Sequence, residues 1–569
     1  MGEEFRQLTE DRIYIRGTKN ALSILRENGI RIPANCSGRG SCGKCRIIAE
    51  GENIPVSAED RAAFREDELA AGYRLACRFI PEEGAVIRIP DVSRIAEEDY
   101  TAVDSFALAG DRDRSRTGMS GNQTESREGN SSGEQAGPKA ADSCGNPNRA
   151  AAAVSAAVDI GTTTLAFAGV ADDTGEVIRS VSAMNPQRQY GADVMSRIAA
   201  AEQGAAEPMK RDILRAIAEG LRRIGPEEGP YSERPERKGA PKRIAIAGNT
   251  VMLHLLRGYD VSGLGRVPFR AVTLKEEKLT AAELFGEERP EDIPEDTPVS
   301  LLPGISAFVG ADITAGLYGC DFFTRKDRAF LLDLGTNGEM ALLSDGVLYT
   351  ASTAAGPAFE GGNISCGIGS VEGAVSDVSL SKDAQGRLER WITVIGGGKP
   401  AGLCGTGLIA LISELKRMEL MDEMGLLNEE YFEDGFPFAG EGPDTLYLTQ
   451  KDIRELQLAK GAIRAGISIL LARAGLKAED IDQVYLAGGF GFFLDTEKAI
   501  NICLLPSVWR GKIAAAGNSC IGGLIRYLTE GGEVLEGLFD RDRIVELNLA
   551  EQPDFYDQYM DAMAFEEEF

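Results

Sequence analysis

The stretch IPANCSGRGSCGKCRI (residues 32–47) arranges three cysteines as C-x5-C-x2-C, and a fourth follows in YRLACRF (residues 73–79). Such spacings are typical of iron–sulfur clusters, because two irons with tetrahedral coordination take four thiolates from the protein. Glycines between the first three cysteines let the loop bend tightly and bring backbone N–H groups close to the sulfurs. The pattern predicts a [2Fe-2S] centre whose metal ligands are Cys36, Cys42, Cys45 and Cys77.

The residues around this loop predict the fold that carries it. Residues 12–17 alternate apolar and polar side chains as in a strand, and residues 85–90 have the pattern of a later strand. Residues 20–29 have the pattern of a short helix that ends at glycine. This order indicates an α+β, β-grasp ferredoxin domain over residues 1–92. Two alternatives are unliganded cysteines and a structural zinc site, although zinc usually takes two close CxxC pairs and only one is present.

Length and charge limit the remaining classes of function. A chain of 569 residues is too long for one core, and a net charge of −28 argues against binding to nucleic acid or to an anionic membrane. The acidic N-terminus lacks a signal peptide, no apolar run reaches the length of a membrane helix, and the other cysteines show no pairing pattern. We expect a cytoplasmic protein with no nucleic-acid or membrane partner.

Residues 93–153 are predicted to be a flexible, low-complexity linker. Between residues 109 and 153 the chain contains no Val, Ile, Leu or aromatic residue, so it cannot bury enough surface to offset the entropy of ordering. A random coil of this length spans roughly 35–40 Å, enough for the ferredoxin domain to move between an electron donor and an acceptor. The alternative is an insertion without a role.

Three glycine-containing elements predict a nucleotide site: AAVDIGTTTLAFAGV (156–170), its near-copy FLLDLGTNGEMALLSDG (330–346), and VYLAGGFG (484–491). In the first two, an aspartate ends a buried strand and a tight hairpin offers N–H groups and hydroxyls to phosphate. One such hairpin is an ordinary turn signal, but the ordered set predicts binding of ATP. The predicted nucleotide-binding residues are Asp159, Gly161, Thr162, Thr163, Asp333, Gly335, Thr336, Asn337, Gly488 and Gly489.

Acidic residues near these elements predict the chemistry of hydrolysis. Two facing carboxylates, Asp159 and Asp333, can hold Mg²⁺ through water because this ion keeps much of its hydration shell. Asp312 and Glu339 lie next to glycine-rich turns and are the candidate catalytic residues that position water. The alternative is that either one is simply a turn residue.

The order of these elements resembles the actin, sugar kinase and heat-shock ATPase superfamily. That resemblance implies a duplicated α/β core in which two ribonuclease-H-like halves clamp a nucleotide. We assign residues 154–303 to the first half and residues 304–550 to the ATP-binding second half. Residues 551–569 carry many acidic groups and no basic one, which predicts a solvated acidic tail.

The full set of motifs resembles the reductive activators of corrinoid-dependent methyltransferases over residues 12–90 and about 155–530. Besides the cysteines and the glycine elements, it rests on NPQRQYGADVMSRI (185–198), AIAGNTVMLHLL (245–256), FVGADITAGLYG (308–319), AAGPAFEGGNISCGI (354–368) and CGTGLIALI (404–412). Members of that family usually carry a small folded domain after the ferredoxin, where this chain has the polar linker. If the protein is a homodimer, the sequence therefore does not predict contacts through such a domain.

The resemblance implies an ATP-driven repair reaction. Family members pass one electron from the cluster to a corrinoid protein of a methyltransferase system and so return inactive Co(II) to Co(I). Each 59 mV of uphill one-electron transfer costs about 1.4 kcal/mol, which explains the need for ATP and for a low-potential electron donor. Two alternatives are a nucleotide-independent ferredoxin-type electron carrier or oxidoreductase, and a small-molecule kinase with a redox-sensing domain.

Overall fold

A computed structural model describes residues 4–7, 12–28, 30, 32, 40, 43, 45–51, 54–81, 85–90, 101–102, 154–224, 240–442 and 445–566. The predicted cluster ligands Cys36 and Cys42 and the predicted tether over residues 109–153 lie outside these ranges. No helix within the described ranges combines the length and the apolar character that crossing a membrane requires.

The N-terminal domain is a five-stranded sheet with the strand order β1-β2-β5-β3-β4, covered by a helix. Ile13 and Ile15 alternate with more exposed neighbours along β2, and they pack with Leu22 and Leu25 of α1 in one core. This confirms the predicted α+β ferredoxin class. Its elements are β1 (Glu4–Gln7), β2 (Arg12–Arg16), α1 (Ala21–Glu27), β3 (Arg46–Glu50), α2 (Ala58–Ala63), α3 (Glu66–Ala70), β4 (Tyr73–Leu75) and β5 (Ala85–Arg88).

The next part of the chain forms a seven-stranded sheet with the order β11-β12-β10-β7-β8-β9-β6. Strands β7, β8 and β9 form an antiparallel meander, and β10 and β12 then add in parallel beside β7. The elements are β6 (Thr101–Ala102), β7 (Val154–Ile160), β8 (Thr164–Ala171), β9 (Val177–Met184), α4 (Val194–Ala200), α5 (Ala206–Arg223), β10 (Ile244–Gly248), α6 (Thr250–Arg257), β11 (Glu277–Thr280), α7 (Ala281–Phe285), β12 (Pro298–Leu301) and α8 (Ala311–Gly319).

The last part repeats this topology in a six-stranded sheet with the order β22-β21-β13-β14-β15-β23. Its first three strands again form a meander, and β21 and β22 add in parallel beside β13, so the predicted duplicated α/β core is confirmed. The elements are β13 (Ala329–Leu334), β14 (Gly338–Ser344), β15 (Val347–Thr353), β16 (Ala374–Lys382), β17 (Leu388–Val394), β18 (Gly402–Leu403), α9 (Gly405–Arg417), α10 (Glu429–Phe432), β19 (Phe436–Ala439), β20 (Leu446–Leu448), α11 (Gln450–Ala474), β21 (Gln483–Ala487), α12 (Gly488–Phe493), α13 (Thr496–Asn501), β22 (Ile513–Gly517), α14 (Ser519–Glu530), α15 (Gly532–Leu538), β23 (Ile544–Leu547) and α16 (Phe555–Asp561).

The helices α8 and α14 pack tightly against each other at the junction of the two sheets. A Cβ atom on Gly523 would lie 1.8 Å from the carbonyl oxygen of Ala315, so only glycine permits this approach. Residues of both helices share one core with Ala157 of β7 and Ala245 of β10. The contact brings the N-terminal end of α14 to the end of β7, where the first glycine element begins.

The end of the chain differs from the solvated tail that its acidic composition predicts. Phe565 is fully buried, and the ammonium group of buried Lys460 donates hydrogen bonds to the carbonyl oxygens of Ala562 (2.7 Å) and Ala564 (2.6 Å). Burial lowers the pKa of Lys460 to about 7. The acidic side chains Asp554, Asp557, Asp561 and Glu566 are exposed as expected, whereas Ala562, Met563 and Phe565 are buried. The sequence does not predict this burial, because Lys460 of the distant helix α11 binds backbone carbonyls, which have no sequence signature.

Candidate functional site

The first predicted phosphate loop is the hairpin between β7 and β8. The amide N–H of Gly161 donates to the carbonyl oxygen of Thr164 at 3.0 Å. A Cβ on Gly161 would lie 2.6 Å from that same oxygen, so the turn requires glycine. Asp159 is the penultimate residue of β7, and it accepts a hydrogen bond from the side-chain amide of Asn518 at 2.8 Å.

The second predicted phosphate loop is the hairpin between β13 and β14, closed by a hydrogen bond from the amide of Gly335 to the carbonyl of Asn337 at 3.0 Å. Gly338 follows it and packs against α11, since a Cβ there would lie 2.1 Å from Cδ1 of Ile463. The Asn337 side chain hydrogen-bonds Glu339, which is buried on β14. The long helix α11 thus supports this loop from behind.

The two loops meet, and the third glycine element joins them. The hydroxyl oxygens of Thr163 and Thr336 are 3.5 Å apart, although they belong to different sheets. Gly488, with φ of +85°, begins α12, and a Cβ there would lie 2.7 Å from Oδ1 of Asp333. Gly489, next in the chain, has open space above it. The structure therefore brings the three predicted elements together.

Four carboxyl groups cluster at this junction. Burial, and then the charges of Asp159 and Asp333, raise the pKa of Asp312 to about 8. Burial and then the charge of Asp159 raise the pKa of Asp333 to about 7. The pKa of Glu339 is also raised, first by burial and then by Asp312 and Asp333, and burial raises that of Asp159. At neutral pH these groups repel one another unless protons or a cation neutralise them.

The carboxyl cluster contains the groups that a hydrated cation would need. Within the residues that the structure describes, no three acidic, histidine or cysteine side chains approach closely enough to hold a metal ion. Mg²⁺ keeps several of its waters and is commonly bound by few protein carboxylates together with substrate phosphates. The geometry agrees with contact through water.

Asp312→Asn is expected to stabilise the metal-free protein at alkaline pH. A raised carboxyl pKa means that the folded state binds the proton more tightly than the unfolded state, so stability falls as pH rises from about 4 to about 8. In EDTA, the melting temperature of the variant should exceed that of wild type by about 3 °C or more at pH 8.5. The gain should shrink at pH 5.5. Thermal unfolding at both pH values, with exposed Asp173→Asn as control, checks this; a gain independent of pH contradicts it.

The first phosphate loop has a polar scaffold that the sequence argument did not identify. The guanidinium of fully buried Arg197 donates to the carbonyl oxygens of Gly191 (3.0 Å) and Thr162 (2.5 Å). Buried Asn185 donates through its side chain to the carbonyl of Gly161 and through its backbone to that of Thr163, both at 2.8 Å. These residues belong to NPQRQYGADVMSRI, whose only local signal is an unusual density of polar groups between a strand and a helix.

Arg197→Met is expected to weaken both the fold and nucleotide binding. The substitution leaves one buried and one partly buried carbonyl group without their donor, at a cost of roughly 2–4 kcal/mol in the free energy of unfolding. Because the loop that it supports carries Thr163, we expect the dissociation constant for Mg-ADP to rise at least about 10-fold. Urea unfolding and calorimetric titration measure the two effects. The exposed Arg222→Met is the control, and equal nucleotide affinity in both variants would contradict the supporting role.

The described part of the cluster loop brings two predicted ligands together. Cys45 and Cys77 are both buried, they form no disulfide, and their sulfurs are 3.4 Å apart. Metal–thiolate bonds of about 2.3 Å in tetrahedral geometry place two sulfurs about 3.8 Å apart, so a small movement lets this pair share one iron. The amide of Ala76 donates to the carbonyl of Cys45 at 2.8 Å and fixes the two segments relative to each other.

Comparison with protein families matches three regions of the chain. The 2Fe-2S iron-sulfur cluster binding domain matches residues 10–82, the RACo middle region matches residues 154–325, and the C-terminal domain of RACo, the ASKHA domain, matches residues 327–568. The match to the 2Fe-2S domain favours an iron–sulfur cluster over zinc for the four cysteines. The match to the ASKHA domain identifies the actin- and sugar-kinase-like ATPase fold that the duplicated topology shows.

Individual relatives match long stretches of the chain. The corrinoid activation enzyme RamQ of Eubacterium limosum is 32% identical over 71% of this chain and 69% of its own length. The [Co(II) methylated amine-specific corrinoid protein] reductase of Methanosarcina barkeri is 28% identical over 49% of this chain and 54% of its own. A solved structure of a reductive activator for corrinoid, iron-sulfur protein superposes with a TM-score of 0.64 at 27% identity and covers 97% of this chain and 96% of that one. The chain belongs to the RACo family, in which a ferredoxin-type domain precedes an ATPase core.

Proposed function

We propose that this protein is an ATP-dependent reductive activator of a corrinoid protein. In the reaction the reduced [2Fe-2S] centre loses one electron, and inactive Co(II) of the partner gains it to become Co(I), the form that accepts a methyl group. The observation that carries the proposal is that one chain joins a buried pair of cluster thiols to a converged set of phosphate loops and acids. The relatives named as a corrinoid activation enzyme and as a Co(II) corrinoid protein reductase support the same reaction.

The proposed roles follow from the geometry of the site. The hydroxyls of Thr163 and Thr336, one from each half of the core, bind phosphate, and the glycines of α12 leave space for the purine. Asp159 and Asp333 hold Mg²⁺ through water. Asp312 and Glu339 position the water for hydrolysis, and burial, which raises the pKa of Asp312 to about 8, suits that carboxylate to accept a proton.

The remaining partners follow from the redox step. A one-electron reductant of low potential must recharge the cluster after each transfer, because the corrinoid couple lies at low potential. The reaction also needs thiols that stay reduced, so we place the protein in the cytoplasm, in agreement with the described cysteines, which form no disulfide.

Anaerobic visible spectroscopy tests the proposed function. The chemically reduced chain is mixed with a Co(II) corrinoid protein, with and without Mg-ATP, and the Co(I) band is followed. Growth of the band only with ATP is the expected result. Reduction without ATP would favour a simple electron carrier, and no reduction with an intact cluster and the cognate partner would favour the kinase alternative.

A further inference from the structure

Glu360 makes a contact that joins the two phosphate loops. Its Oε2 accepts hydrogen bonds from the hydroxyls of both Thr163 (2.9 Å) and Thr336 (3.0 Å). It lies at the end of the 3₁₀ turn Pro357–Glu360, in the segment AAGPAFEGGNISCGI. One carboxylate oxygen therefore bridges loops that belong to different halves of the ATPase core.

The bridging carboxylate uses the donors that a nucleotide phosphate would need. A threonine hydroxyl has one proton to donate, and in this arrangement both protons are given to Glu360. A phosphate oxygen can accept them only after the carboxylate has moved away. The carboxylate and the phosphates are also like charges, which adds repulsion to the competition.

Two arginines, Arg188 and Arg197, interact electrostatically with Glu360. Burial lowers the pKa of Arg188, and the negative charge of Glu360 partly offsets that decrease. Burial also lowers the pKa of Arg197, which the charge of Glu360 again partly offsets. Arg197 is fixed by its bond to the carbonyl of Thr162 in the first phosphate loop. The carboxylate of Glu360 thus occupies a position that has two hydroxyl donors in contact with it and interacts with two guanidinium charges.

The loop that carries Glu360 is held independently of this contact. The amide of Gly362 donates to the carbonyl of Pro357 at 2.8 Å, and the ring of Phe359 stacks on Phe490 with centroids 5.1 Å apart. Farther along, the amide of Ser365 donates to Asp452 at 2.7 Å. The side chain of Glu360 can leave the threonines while its backbone stays anchored.

We propose that Glu360 is an internal competitor for the nucleotide phosphates: it bridges Thr163 and Thr336 in the nucleotide-free protein, and bound phosphate displaces it. The inference rests on the proposed function, since it requires that the cleft binds a nucleotide. Glu360 is then a positioning residue that holds the phosphate loops together before binding and lowers affinity for phosphate-bearing ligands.

The test compares the full-length wild-type chain with Glu360→Gln by calorimetric titration with Mg-ADP and a non-hydrolysable Mg-ATP analogue. The isosteric variant keeps an acceptor oxygen and removes the charge, so both nucleotides should bind about 10-fold more tightly, which corresponds to about 1.4 kcal/mol. Adenosine, measured by its competition with ADP, should bind equally to both proteins because it has no phosphate. Glu360→Ala should reproduce the gain, and exposed Glu372→Gln should not.

The outcomes separate this inference from the proposed function. If wild type binds neither nucleotide, both the proposed function and the inference are wrong. If wild type binds them and Glu360→Gln binds with equal or lower affinity, only the inference fails. An equal gain for adenosine would also overturn it, because the effect would then not concern phosphate.

Discussion

Replacing Cys77 with serine is expected to abolish corrinoid reduction and to leave ATP binding within about 2-fold of wild type. Cys77 is buried, with its sulfur 3.4 Å from that of Cys45, so the two act as a pair. A serine hydroxyl is a harder and much weaker ligand for cluster iron than a thiolate. Because the ATPase core has its own hydrophobic clusters, loss of the cluster should not unfold it. We expect at least about a 100-fold loss in the rate of Co(I) formation, about 2.7 kcal/mol in activation free energy.

The measurement for Cys77→Ser combines three readings on the same preparation. Visible absorption and electron paramagnetic resonance report the cluster, the Co(I) band reports electron transfer, and calorimetry reports ADP affinity. Cys366→Ser is the matched control, because Cys366 is partly exposed and lies in the ATPase core, where its thiol approaches the carbonyl of Tyr447 at 3.5 Å. A Cys77→Ser protein that keeps both the cluster spectrum and wild-type reduction would rule out Cys77 as a ligand.

The features that could be predicted from the sequence are those in which the chemistry is local. Glycine is required at Gly161 and Gly488 by contacts of 2.6 and 2.7 Å, so the turns appear directly in the sequence. The sequence around Asp333 nearly repeats the first loop and so predicts the duplication, because two meanders with the same strand order need two such hairpins. Spacing alone brought Cys45 and Cys77 into one predicted site.

The features that could not be predicted depend on contacts between distant residues and backbone groups. Arg197 supports the first loop through carbonyl oxygens, and any residue type supplies a carbonyl. Glu360 reaches Thr163 across the two halves, a contact that exists only after both sheets have formed. Lys460 holds the C-terminal segment in the same way. The polar composition of these segments is visible in the sequence, but the partners of their hydrogen bonds are not.

Asp333→Asn is expected to lower ATP hydrolysis and ATP-dependent Co(I) formation by about 1,000-fold, or roughly 4 kcal/mol. Asp333 is the penultimate residue of β13, close to Gly488 and beside the second phosphate loop. A carboxylate there can hold the waters of Mg²⁺, and an amide cannot replace its charge. A Mg²⁺ ion held there would align the phosphates and offset their charge, so its loss would act on the chemical step. Initial rates at saturating ATP, measured with increasing Mg²⁺, give the size of the effect.

The stability of Asp333→Asn distinguishes this explanation from simple unfolding. Burial and the nearby Asp159 raise the pKa of Asp333 to about 7, so ionised Asp333 destabilises the metal-free fold above that pH. The variant should therefore melt at an equal or higher temperature than wild type in EDTA at pH 8.5 while it loses activity. Exposed Asp173→Asn should change neither property.

If Asp333→Asn retained hydrolysis within 10-fold of wild type, the cation would have to be held by the other carboxylates. If it lost activity together with stability, the role of Asp333 would be structural. A stable but inactive variant would link the repulsion within the carboxyl cluster to metal binding. The charges that destabilise the metal-free protein would then be the charges that ATP hydrolysis requires.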